Sequence, residues 1–476
     1  MSCFLLYPND TDQEKNIEWI RSFFPMEAGS KLPFSLPSLV IQWGNGGLSG
    51  NQRGTVVLNG AEAYQCATRP VYRDRILSLN GIPVASVMKQ DGETPTLRRY
   101  FAFVFQQDVL GLFRSNGNQI WMHHRPTNFK EDYEEVEQDL KNREIRKVVH
   151  YAIRTIYALG LDFGGVFIGV NQQGRMRILE VRPVVNLNEV LARRFVKSVQ
   201  RFIKTYFILH PEQVMLGADP EFVLKDDKGE PVMASSFFPR RGMVGCDQVV
   251  LRTDATQSKL PLAELRPPPS VEPEKLFKNI YVAMVLGARK INNPDIHWLA
   301  GGMPLEGYPI GGHLHFSRIE LNSQFLRILD NYLALPLSIL ESEQSRKRRP
   351  KYGYLGDFRR QFHGGFEYRT LPSWLVSPVV TRGVIAMAKL LALHYKNLRK
   401  LPLQEVNVQE GFYHGKKDEL LQLLPKLWRD LEALPSYYRY AKFLNPFKQV
   451  LLEGVEWDEN EDIRIGWKLP DSIGML

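Results

Sequence analysis

Between positions 217 and 375 the chain repeats one unusual pattern. Four short segments each carry two ionisable residues two positions apart, set among apolar residues and close to Gly or Pro. They are GADPEF with Asp219 and Glu221, LAELRPPP with Glu264 and Arg266, GGHLHF with His313 and His315, and GGFEYRTLPSWL with Glu367 and Arg369. Residues i and i+2 of a β-strand point to the same face. Read as strands, each segment therefore shows a pair of ionisable groups on one face. Any one pair fits an ordinary structural ion pair or a solvent-facing strand. Four pairs with apolar flanks are harder to place separately, because an unpaired charge among apolar neighbours is costly. The pattern predicts strand faces that converge on one site.

The residue types indicate what that site can do. Carboxylates with a histidine form an oxygen-rich donor set that suits Mg²⁺ or Mn²⁺. Either His313 or His315 can be the nitrogen donor, and the preceding glycines let backbone approach a ligand closely. Arginines on the same faces suit phosphate oxygens, which they bind through two parallel hydrogen bonds. Metal, arginine and carboxylate together are the parts of ATP-driven phosphoryl transfer.

Composition narrows the classes. The chain has 476 residues, enough for two or three domains, with 44% hydrophobic and 24% charged residues. It has no run of 18 apolar residues and no N-terminal signal-peptide pattern, so a cytoplasmic protein away from membranes is expected. Its 3 cysteines include no C-x-x-C pair, which argues against a disulfide framework or a thiolate zinc site. The net charge of +9 favours acidic partners. Part of it lies in SRKRRPKYGYLGDFRRQ (345–361). No nucleic-acid-binding motif accompanies that run, so nucleic acid is not the expected partner.

Apolar periodicity and turn residues predict an α/β first unit over 1–205 and an α+β second unit with a largely antiparallel sheet. The first unit is read with a long helix from Glu131 to Leu159, acidic at its start and basic later, and a hairpin over GGVFIGVNQQGRMRILEVRP. A basic helix over 187–207 connects onward. The second unit is read with strands near 215–235, 247–252, 261–266, 311–318 and 364–370, and helices near 273–291, 322–342 and 376–399. Residues 404–476 read as a helical extension.

The segments GADPEF, ELRPPP, GGHLHF, YGYLGDFRRQ and GGFEYRTLPSWL, in this order, resemble the phage-type carboxylate–amine ligases, the amidoligase family related to glutamine synthetase and glutamate–cysteine ligase. The resemblance covers about 212–403. It implies a glutamine-synthetase-like antiparallel sheet curved around ATP and Mg²⁺ (or Mn²⁺). It also implies a mechanism in which ATP phosphorylates a carboxylate and an amine attacks the acyl phosphate. Carried over residue by residue, Glu221, Glu264, His313 and Glu367 resemble the metal ligands, with Asp219 an addition. Arg266, Arg360 and Arg369 resemble phosphate or substrate contacts, and Arg348 and Arg349 resemble further contacts from a basic loop. The implied partners are an amino acid, peptide or protein carboxylate and an amine co-substrate, and relatives of this kind are often oligomeric.

Residues 1–205 resemble an ATP-grasp domain through ALGLDFGGVFIGVNQQGRMRILEVRPVVNL (158–187). In that fold's final hairpin a carboxylate on one strand and a Glu-x-Asn on the next hold Mg²⁺. Here the positions read Phe167, Glu180 and Arg182. Phe cannot ligate a metal and Arg repels one, so the domain is expected to be degenerate, with Arg182 paired to Glu180. Asp162 and Asn186 are the nearby substitutes as ligands, and Lys89 is a candidate phosphate contact. The rival readings are a non-catalytic nucleotide-binding or scaffold protein, and a phosphotransferase using the same metal site.

Overall fold

The computed structural model describes residues 2–8, 13–50, 52, 54–85, 96–115, 133–208, 213–248, 260–291 and 293–469. The chain divides into two compact units, Met1–Ile208 and Leu209–Leu476.

The first unit holds two sheets. β1 (Cys3–Leu6), β2 (Glu27–Gly29), β3 (Leu39–Gln42) and β4 (Val56–Leu58) form a parallel sheet in the order β2-β1-β3-β4. β5 (Thr96–Phe105), β6 (Asp108–Ser115), β7 (Tyr133–Glu135), β8 (Phe163–Asn171) and β9 (Met176–Arg182) form an antiparallel sheet in the order β7-β6-β5-β8-β9. The helix expected from Glu131 starts only at Arg143 and runs to Ala158. Asn142 caps it, its side chain accepting from the N–H groups of Glu144 at 2.9 Å and Ile145 at 3.2 Å. Glu134 and Glu135 belong instead to β7, where they face Arg114 and Arg194. A cap that satisfies two orphan donors, together with ion pairs from β7 to a neighbouring strand and helix, outweighs a charge gradient matched to the helix dipole.

Asn59 ties the two sheets of this unit together. Its side-chain oxygen accepts from the N–H of Asp162 at 2.7 Å and of Phe163 at 3.1 Å, and its amide donates to the Phe163 carbonyl at 2.9 Å. In return its own N–H donates to Asp162 Oδ2 at 2.9 Å, while Gln106 donates to Oδ1 at 3.1 Å. The Asp162 carboxylate is thereby engaged in structural bonds.

The second unit is built on one antiparallel sheet. Its strands are β10 (Met215–Asp226), β11 (Pro231–Val232), β12 (Val244–Asp247), β13 (Leu262–Leu265), β14 (Ile296–Leu299), β15 (Gly312–Ser317), β16 (Phe358–Arg360) and β17 (Phe366–Tyr368). The main order is β12-β13-β10-β15-β17-β16, with β11 and β14 also paired to β10. The strand expected over 247–252 ends at Asp247, and residues 249–259 lie outside the described residues. Alternation sends Phe222, Phe316, Phe366 and Tyr368 to the back of the sheet. There Phe222 stacks on Trp298 at 4.6 Å, Phe316 stacks on Phe366 at 5.3 Å, and Phe325 of the helix Ser323–Leu329 meets Phe316 edge-on at 5.1 Å.

The helices of 404–476 are part of this unit. Phe447, on the helix Tyr437–Glu453, packs where Gly383 of the helix Pro378–His394 leaves no room for a Cβ. Trp467 stacks on Phe277 at 5.4 Å and donates to the Leu375 carbonyl at 2.7 Å. All three cysteines are free, and among the described residues no helix is long and apolar enough to cross a membrane.

Asn59→Ala is expected to destabilise the protein by roughly 2–4 kcal/mol, because it orphans two buried N–H groups and places Ala at a φ of 59°. Asn59→Gly should relieve only the backbone part. Denaturant midpoints of the two variants check this.

Candidate active site

Strand register assembles the site. Across the sheet Glu264 lies opposite Glu221, Asp219 opposite His313, His315 opposite Glu367, and Glu367 opposite Arg359. Residues directly opposite share a face, as do residues i and i+2 on each strand. Asp219, Glu221, Glu264, Arg266, His313, His315, Arg359, Glu367 and Arg369 therefore stand on one face in a row across five strands. Opposite His315 stands Gly217, which adds no side chain to the row.

The row is densely bonded. His315 Nε2 lies 3.0 Å from Asp219 Oδ1. His313 Nδ1 lies 3.2 Å from Asp219 Oδ1 and 3.1 Å from Glu367 Oε1. Arg369 donates to Glu367 Oε1 at 2.8 Å and Gln361 donates to Oε2 at 3.0 Å, with Arg359 3.3 Å from Oε2. Glu221 Oε2 accepts from the Gly311 N–H at 2.7 Å, and Arg266 donates to Glu264.

Burial sets the charge states apart. Burial alone would raise the Asp219 carboxyl, but His313 and His315 outweigh it and hold the group below the usual carboxylate range. Glu221 is raised, burial exceeding the help it receives from His313 and the Gly311 N–H. Glu264 is pushed up to about 9 by burial and by the neighbouring Asp219 charge. Its partner Arg266 has a third of its side chain exposed, and water screens what it can offset. Burial lowers and Asp219 raises His313, and the carboxylate wins.

A cation fits this arrangement. One donor atom each from Asp219, His315 and Glu367 lie within 4.8 Å of one another. Asp219 Oδ1 and His315 Nε2 are buried without a hydrogen-bond partner of acceptable geometry. Their 3.0 Å separation matches the spacing of about 3 Å between neighbouring donors in an octahedral Mg²⁺ shell. Crowded carboxylates, one raised to about 9, mark a place that a divalent ion would neutralise.

The expected residues do not all meet. Asp219, Glu221, Glu264, Arg266, His313, Glu367 and Arg369 come together. Arg360 lies opposite Phe366, so the neighbouring Arg359 takes the place in the row. Arg348 and Arg349 turn inward instead of lining an open loop. Arg348 donates to the Thr370 carbonyl at 2.7 Å, and Arg349 donates to the buried Glu341 at 2.7 Å with its guanidinium 4.1 Å from the Phe412 ring centroid. Lys89 lies outside the described residues. In the first unit Arg182 grips both oxygens of Glu180, at 2.8 and 3.2 Å, and covers Phe167 at 4.7 Å. Sequence reasoning did not single out Tyr352, Arg359 and Gln361. Strand alternation offers Arg359 and Arg360 equally, and only pairing with β17 separates them.

A model of the family described as phage phiEco32-like COOH.NH2 ligase-type 2 matches residues 216–469. No curated protein matches the chain. Among solved structures, the ATP-grasp ligase PsnB complexed with minimal precursor aligns over 42% of this chain and 99% of its own, at 13% identity and a TM-score of 0.30. A bifunctional glutathione synthetase from Pasteurella multocida aligns over 54% and 52%, at 12% identity and a TM-score of 0.34. The macrocyclase MdnB from Microcystis aeruginosa MRC aligns over 42% and 99%, at 12% identity and a TM-score of 0.27. At these scores the likeness is distant and carries no argument about activity.

Gly311→Ala should damage the site from its edge. A Cβ there would overlap His313 Nε2 and come within 2.7 Å of the Tyr352 hydroxyl. The expected cost is about 1–3 kcal/mol, read as a lowered thermal midpoint.

Proposed function

The chain belongs to the phage phiEco32-like COOH–NH2 ligase family, type 2, and from that premise we propose that it forms amides through an acyl phosphate. The γ-phosphoryl group of ATP passes to a substrate carboxylate and ADP leaves. An amine nitrogen then attacks the carbonyl carbon, the C–O bond to phosphate breaks, and the nitrogen loses a proton. The carboxylate substrate is an amino acid, a peptide or a protein side chain.

The chain's own groups have distinct tasks in this reading. Arg266, Arg359 and Arg369 offset the charge of the phosphoryl group in transit. Gln361 and Arg369 hold Glu367 in one orientation, and the Gly311 N–H does the same for Glu221. Asp219, His315, Glu367, Glu221 and Glu264 would hold Mg²⁺, which when bound neutralises phosphate oxygens and polarises the phosphorus. The carrying observation is the row of four carboxylates, three of them buried, in which Asp219 Oδ1 and His315 Nε2 lack hydrogen-bond partners. The first unit offers no equivalent in its hairpin, since Arg182 occupies Glu180 there.

ADP release from Mg·ATP, measured with pooled amino acids, peptides and amines, tests the reading. Release that needs an added amine, stops on chelation of divalent ions, and falls at least 100-fold in Glu367→Gln is the expected result. Mass analysis should find an amide. A stable phosphorylated product would point to a phosphotransferase instead. Glu180→Gln should change release less than twofold; a large loss would give the first unit its own chemistry.

A further inference from the structure

His313 is the more deeply buried of the two strand histidines, and both of its ring nitrogens are occupied. Nδ1 lies between two carboxylates, Asp219 at 3.2 Å and Glu367 at 3.1 Å. Nε2 lies 2.6 Å from the hydroxyl of Tyr352. A metal ligand must aim a free lone pair at the ion. Both nitrogens of His313 already face protein oxygens, Nδ1 two carboxylates and Nε2 a phenol, and neither is left as a buried orphan. His315 differs: its Nε2 approaches Asp219 Oδ1 at 3.0 Å without a hydrogen bond.

Tyr352 extends the same chain of contacts. Its hydroxyl also reaches Glu221 Oε2, at 3.4 Å. Its ring stands perpendicular to the His313 ring, at 89° and 6.0 Å. The Arg348 and Arg369 guanidiniums lie over the ring, 5.8 and 5.7 Å from its centroid, which helps to hold the phenol. Tyr352 begins the YGYLGDF segment, and Gly353 after it, at a φ of 69°, leaves Arg348 the space a side chain would take. His313 and Tyr352 thus touch three of the row's four carboxylates, Asp219, Glu221 and Glu367.

We propose that His313 and Tyr352 are a positioning pair, holding Asp219, Glu367 and Glu221 in place for a divalent ion whose nitrogen ligand is His315. The assignment rests on the metal reading given above. Partners that orient first ligands in this way change metal affinity by about 10- to 100-fold when removed.

Binding of Mn²⁺ to the full chain without nucleotide, followed by calorimetry and electron spin-echo spectroscopy, tests the pair. Tyr352→Phe keeps the ring and its two arginine contacts and removes only the hydroxyl. It should raise the Mn²⁺ dissociation constant about 10-fold or more while the echo modulation from a coordinated imidazole nitrogen persists. His315→Gln should abolish that modulation, and His313→Gln should retain it at reduced affinity. Thermal unfolding of each metal-free variant shows which of them are folded, and only folded variants enter the comparison. Unchanged affinity in Tyr352→Phe overturns the positioning role. Modulation lost in His313→Gln but kept in His315→Gln reverses the assignment of the two histidines. Failure of the unaltered protein to bind Mn²⁺ removes the metal reading itself, and this assignment with it.

Discussion

The register of β10 against β13 and β15 is the constraint on which the rest of the site depends. β10 offers Asp219 and Glu221 on one face, but neither means anything chemically until β15 brings His313 opposite Asp219 and β13 brings Glu264 opposite Glu221. A slip of β10 by one residue would send Asp219 and Glu221 to the apolar back of the sheet. The stacked aromatics there, Phe222 on Trp298 and Phe316 on Phe366, oppose such a slip. The packing that stabilises one face thereby aligns the chemistry on the other.

The site is held in a condition that costs stability. Four carboxylates share the row, three of them buried, and burial with like charge raises Glu221 and Glu264. His313 and Arg369 compensate at one end, while the carboxylates at the other compete with each other. Such a surplus of negative charge is tolerated where a cation belongs to the working molecule. The glycines beside the row serve the same end. Gly217 and Gly311 keep side chains away from His315 and from the His313–Tyr352 contact.

In the β8–β9 hairpin of the first unit a carboxylate is held by a basic neighbour. Phe167 and Glu180 lie opposite each other across β8 and β9. Arg182, on the same strand as Glu180, neutralises its carboxylate and covers the ring. One basic residue thereby engages both the carboxylate and the ring across the hairpin.

Much of this was legible in the primary structure. The i, i+2 pairs identify which side chains share a face, because a strand alternates with a period of two. The identities of Asp219, Glu221, Glu264, Glu367 and the flanking arginines point to metal and phosphate chemistry, because few other groups can offset such charge. The Glu180–Arg182 pair also follows from two opposite charges on one strand face. Pairing between distant strands does not follow from local pattern. The choice of Arg359 over Arg360 was made by β16 against β17, and the inward turn of Arg348 and Arg349 by Glu341 and Phe412. The different surroundings of His313 and His315 came from a tyrosine 39 residues away. Periodicity is a property of neighbours along the chain, and so the sequence determined the faces and the chemical kit. Register and burial depend on contacts between segments far apart in sequence, and only the tertiary structure decided which residue of each pair meets the site.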